Sequence, residues 1–89
     1  MCYKSVSNPQ AMTEYAKLAT VALDALGGRV LVGGKPARTH EAGIDELVVI
    51  VEFENLEKAI AAYESEQYIA ALKVFDNAAQ RDFRILEGR

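Results

Sequence analysis

Apolar and polar positions in this chain follow two periods, and they divide it into strands and helices. Leu47–Phe53 reads Leu-Val-Val-Ile-Val-Glu-Phe, six of its seven residues apolar and five of those β-branched or aromatic. Such a run favours a pleated strand over a helix. Leu47, Val49, Val51 and Phe53 fall on one face, and Val48 and Ile50 fall on the other with Glu52. Both faces are apolar, so both need cover, which predicts a central strand.

Cys2–Val6 is short and half polar, and reads as a first strand that is either an edge or missing its beginning. Asn8-Pro9 opens a helix, with Asn at the N-cap and Pro in the first turn. Met12, Tyr15, Ala16, Ala19, Ala22, Leu23 and Leu26 form one arc of that helix, and Val21 is an apolar outlier on the polar arc. Gly27-Gly28 ends it. Arg29–Val32 reads as a second strand, broken by Gly33-Gly34-Lys35-Pro36. Residues 37–45 lack clear periodicity and leave room for one more short extended stretch. Asn55 caps a second helix carrying Leu56, Ala59, Ile60 and Tyr63 at helical spacing. Ser65 starts a fresh turn, from which Tyr68, Leu72, Phe75 and Ala79 make a second stripe. Asp82–Glu87 alternates and reads as the last strand.

The order is β-α-β-β-α-β, a split β-α-β pattern. Right-handed crossovers put both helical segments on one face of an antiparallel sheet. No segment remains for the other face, so a second copy of the chain is the economical cover. Residues 1–89 form one domain. A domain this small buries only about 60–65% of its extended-chain surface and gains from a partner.

Composition narrows the classes. Hydrophobic residues make up 51% of the chain, too many for a disordered one. The net charge is −3 with no basic block, which argues against nucleic acid as a partner. The only cysteine is Cys2, so no internal disulfide forms and a reducing cytoplasm is the simplest location. No signal-peptide pattern surrounds the first residues, and no apolar run approaches a membrane span.

Several stretches together resemble the family called domain of unknown function 1330, in the dimeric α/β-barrel superfamily. They are Asn8-Pro9 with Glu14-Tyr15-Ala16, Gly27 to Val32 with Gly33-Gly34, Val49 to Phe53, Ala59 to Tyr63, Ser65-Glu66-Gln67-Tyr68, and Ile85-Leu86-Glu87-Gly88. Asn8-Pro9-Gln10 stands where the family has Asp-Pro-Glu, and Ser65-Glu66-Gln67-Tyr68 where it has Ser-Pro-Glu-Tyr. Both changes keep the caps. The first strand is several residues shorter than the family's, through a late start or a clipped edge. The resemblance implies an α+β, ferredoxin-like βαββαβ sandwich, with a four-stranded antiparallel sheet, helices on one face, and two sheets pairing into a dimeric α/β barrel. It implies little chemistry, because the wider superfamily spans cofactor-free monooxygenases, haem-degrading enzymes, lactone isomerases and regulatory ligand-binding modules.

Candidate chemistry is sparse. His40, the only histidine, lies in the Gly/Pro-rich loop and suits a general acid or base, or is simply solvated there. Glu52 interrupts the central strand. It is either a partly buried acid or the partner of Arg29 or Arg84. Tyr15, Tyr63 and Tyr68 lie on the inward stripes of the helices, where their hydroxyls either orient a small ligand or sit at the rim of a packed core. The site expected from these residues lies between helices and sheet. Tyr15, Arg29, Glu52, Tyr63 and Tyr68 border it, with His40 at its mouth. The catalytic candidates are His40 and Glu52, and the ligand-binding candidates are Tyr15, Arg29, Tyr63 and Tyr68. One histidine and one distant cysteine make no metal site, and the glycine pairs match neither phosphate-binding fingerprint. No cofactor is expected. Two function classes stay open: a cofactor-independent enzyme acting on a small apolar or aromatic metabolite, and a non-catalytic ligand-binding or interaction module.

Overall fold

The structure, a computed structural model, describes residues 1–89. Its elements in order are β1 (Cys2–Val6), α1 (Pro9–Ala25), β2 (Arg29–Gly34), β3 (Val48–Glu52), α2 (Leu56–Tyr63), α3 (Glu66–Phe75) and β4 (Ala79–Asp82). All strand pairs are antiparallel, in the order β2-β3-β1-β4, which is the ferredoxin-like arrangement.

The caps form as their residue types require. Asn8 Oδ1 accepts from the Ala11 N–H at 3.1 Å, and Asn55 Oδ1 accepts from the Lys58 N–H at 2.9 Å. Ser65 Oγ accepts from the Tyr68 N–H at 3.2 Å and donates to the Ala62 carbonyl at 2.7 Å, tying the end of α2 to the start of α3. Gly27, at φ 87°, takes the left-handed turn that releases the chain from α1 into β2. Gly28 is needed for a different reason. A Cβ there would lie 2.9 Å from the Phe53 ring and 3.0 Å from a Val51 methyl group.

The helices pack on one face of the sheet. Tyr3, Tyr15, Ala19, Ala22, Leu23, Tyr68, Ala71, Phe75 and Ala78 form the buried core, and Leu47, Val49, Val51 and Phe53 pack against it from β3. Val21, the outlier of α1, is 70% exposed. By alternation Val48, Ile50 and Glu52 lie on the helix-free face. There Ile50 of β3 and Val32 of β2 pair across the strands, and each is about half exposed. The Cα trace spans 34 × 32 × 15 Å, the shortest extent being two layers thick.

Three strand assignments differ from the sequence reading. β1 is not an edge but lies between β3 and β4. Its ladder on β3 ends with a pair in which the Met1 amine donates to the Val49 carbonyl and the Val49 N–H donates to the Met1 carbonyl, each at 2.8 Å. The last strand is Ala79–Asp82 instead of Asp82–Glu87. In the register Cys2↔Asp82 and Tyr3↔Arg81, Phe83 faces Met1, and residues beyond it face no strand. Ala79 begins β4 and is not the end of a helical stripe, because α3 stops at Phe75 and Asp76 and Asn77 turn the chain at φ 40° and 58°. Asp and Asn tolerate that conformation better than other side chains. β2 runs on through Gly33 and Gly34, paired with Val49 and Val48, and residues 37–45 hold no strand.

Candidate functional site

Two neighbouring features occupy the end of the molecule where β1 stops. The first is a polar cluster inside the aromatic core. Tyr3 and Arg81 are cross-strand partners on β1 and β4, and both side chains enter the helix-covered side. Arg81 Nη1 donates to the Tyr3 hydroxyl and to the Tyr15 hydroxyl, each at 2.9 Å, and lies 3.2 Å from Met1 Sδ. The Tyr15 hydroxyl also shares a short hydrogen bond with that of Tyr68. The guanidinium carbon stands 4.4 Å from the Phe75 ring centre, 5.0 Å from that of Phe83 and 5.1 Å from that of Tyr15, within cation–π range.

Burial sets the protonation of this cluster. It pushes Tyr68 far above the ordinary phenol range, aided by the charge and hydrogen bond of Tyr15. It raises Tyr3 as well, with the positive charge of Arg81 only partly opposing it. For Arg81 burial works against the charge. The hydrogen bond to Tyr15 and the fields of Tyr15, Tyr3 and Tyr68 more than offset that, and hold its pKa above the usual value. Tyr3 and Tyr68 are neutral phenols and Arg81 a cation throughout the physiological range.

The second feature is a cavity of about 1050 Å3 between β3 and residues 82–89. Apolar side chains dominate its lining: Val49 and Val51 from β3, Phe53 just after it, and Ala59, Ala62 and Tyr63 from α2. Ile50 and Glu52 also line it, so it reaches from the helix layer to the helix-free face. Val49 directs both backbone groups at Met1. By the alternation of the antiparallel ladder, Val51 directs its own N–H and carbonyl to that same side of β3, which the cavity borders.

The candidates named from sequence divide between these features. Glu52, Tyr63 and Tyr68 line the cavity. Tyr15 lies in the core behind Tyr68, with the two rings edge to face at 6.2 Å. Glu52 lies opposite Arg29 on the neighbouring strand, and the two form an exposed ion pair at 2.9 Å on the helix-free side. Arg84 pairs with Asp82 instead, at 2.8 Å. His40 is exposed in the loop before β3 and borders neither feature. Sequence reasoning passed over Tyr3, Arg81 and Phe83. Reading the strand from Ala79 instead of Asp82 puts Arg81 and Phe83 on one face, two residues apart, and that alternation was the available signal. No three His, Cys, Asp or Glu side chains come together as a metal-holding group, and no helix is long and apolar enough to cross a membrane.

An antiparallel β2-β3-β1-β4 sheet, layered on one face by helices around an aromatic core, defines a small α+β protein of the ferredoxin-like class. Within that class, the family model described as Domain of unknown function (DUF1330) matches residues 2–89, and the chain belongs to that family. A comparison with curated proteins finds no match.

Proposed function

We propose that this protein is a homodimeric, cytoplasmic binding module for a small apolar or aromatic metabolite, held in the cavity between β3 and residues 82–89. The cavity carries the reading: its volume and apolar lining suit a small organic ligand. Tyr63 offers an aromatic face there, with Tyr68 packed behind it, and the backbone of Val51 turns toward the same space. Binding is favoured over catalysis because the polar candidates do not converge. Glu52 is engaged by Arg29 at the surface, and His40 stands elsewhere. A second copy on the helix-free face would cover Ile50 and Val32 and close the cavity's outer mouth. The lone thiol, Cys2, is exposed, which suits a reducing compartment.

A thermal-shift screen with small aromatic and branched apolar compounds tests this. A compound at a hundredfold excess over its Kd stabilises the native state by about 2.7 kcal/mol, which raises the midpoint by several degrees. Ala59→Phe, which fills the cavity from α2, should abolish the shift. Shifts of equal size in wild type and Ala59→Phe, or none with any compound, contradict the proposal.

A further inference from the structure

Arg81 is the one cation held in the aromatic core, and the chain gives it no carboxylate. None of the five ion pairs includes it. Half-burying a guanidinium without a counter-ion is costly, and charged groups in such places are ordinarily paired. A purely structural role would employ its donors fully, yet only Nη1 is used, on Tyr3 and Tyr15. The Nε–H and both Nη2–H groups have no partner in the protein. No fully buried side-chain nitrogen or oxygen lacks a partner, so these nitrogens reach solvent. Arg81 also lines a surface depression of about 600 Å3, together with Tyr63, Leu72, Phe75 and Phe83. The depression shares Tyr63 and Phe83 with the β3 cavity, but Arg81 lines the depression alone.

We infer that Arg81 is the anchor of a second binding site, which takes a small aromatic or branched-chain carboxylate on the free Nε–Nη2 edge of its guanidinium. The geometry of that edge matches the two oxygens of one carboxylate. Nη1 is already held by two phenols, so the fork is fixed in direction before a ligand arrives. Phe75, Phe83, Tyr63 and Leu72 supply the apolar walls for the ligand's body. Tyr3 and Tyr68 stay neutral and leave the positive charge of Arg81 uncompensated. The acids nearby do not compete for it. Asp82 is held by Arg84, and Asp76, on the rim of the depression, forms no ion pair with Arg81.

The test is an NMR titration of the wild-type protein with sodium benzoate at constant ionic strength, against sodium chloride, sodium phosphate and benzyl alcohol. The Arg81 Nε–Hε signal and the Gln80 amide should shift with benzoate and saturate with a Kd of about 1 mM or below. The neutral alcohol and the inorganic anions should leave them in place. Arg81→Lys keeps the charge and loses the fork, so it should weaken benzoate by about tenfold or more. Several results overturn the inference. They are no saturable shift at Arg81, equal shifts with chloride or phosphate, equal shifts with benzyl alcohol, or undiminished binding in a folded Arg81→Lys. Benzoate signals confined to Val51 and Ala62 would also overturn it while supporting the β3 cavity, so the two readings fail separately.

Discussion

Tyr68, 1% exposed, shows how one side chain fixes the chemistry around it. Its hydroxyl bonds that of Tyr15, which in turn accepts from Arg81, so a row of hydroxyls ends on a fixed cation. The raised pKa values of Tyr3 and Tyr68 make stability depend on pH. Below pH 10.0, the ordinary phenol value, both groups are protonated whether the chain is folded or not, and their contribution is complete. Above it the unfolded chain releases protons that the folded chain keeps, so stability falls as pH rises. Denaturant titrations from pH 8 to 11 should show a midpoint that is flat below about pH 10 and falls above it. Tyrosinate absorbance should rise in step with unfolding for these two residues. In Tyr68→Phe the fall should be shallower. A midpoint that holds steady through alkaline pH contradicts the assignment. At this scale the sequence was half informative. Tyr15, Tyr63 and Tyr68 show themselves by helical spacing, because a core-facing stripe repeats every three to four residues. Arg81 shows itself only by its alternation with Phe83, a weak signal in a four-residue strand whose start was read three residues late.

Helices were legible because their signals are local. Asn8, Asn55 and Ser65 each place a side-chain oxygen on an otherwise unpaired N–H, and each starts a helix where its residue type demands one. Ser65 makes the clearest case, since its hydroxyl serves both α3 and the end of α2. Ser65→Ala should cost about 1 kcal/mol, read as a lower denaturation midpoint with an unchanged slope. A loss near zero would show that the break between α2 and α3 is set by packing alone. Strands were less legible because a strand needs a partner. Phe83 to Leu86 alternates as well as any strand, but β4 pairs with β1 only over Ala79–Asp82. β1 has only Tyr3 buried along its length, which gives an edge-like pattern to a strand that lies inside the sheet. Asp76-Asn77 was a readable stop for α3, since two residues tolerant of positive φ stand together where the helix ends.

In the whole molecule, one sheet face is finished and the other is not. Val49, Val51 and Phe53 pack against the helix-side core and are partly buried, while Ile50, Leu31 and Val32 stand about half exposed in a flat, two-layered molecule. Apolar residues on both faces of β3 were visible in the sequence, and so was the need for a second cover. What the sequence did not show was the cavity. That space lies between β3 and residues 82–89, which are distant in sequence, so no local pattern marks it. If a second copy covers the open face, wild type should sediment as a dimer at micromolar concentration. Ile50→Glu should sediment as a monomer with its helical signal intact, because Ile50 contributes nothing to the helix-side core. A wild-type monomer under those conditions contradicts the dimer. The most direct test of ligand binding is a crystal structure of the protein soaked with the most stabilising compound from the screen. The account predicts density for that compound between β3 and residues 82–89, bounded by Val51, Ala59 and Tyr63. Density elsewhere on the molecule, with this space closed by the protein's own side chains, would contradict it.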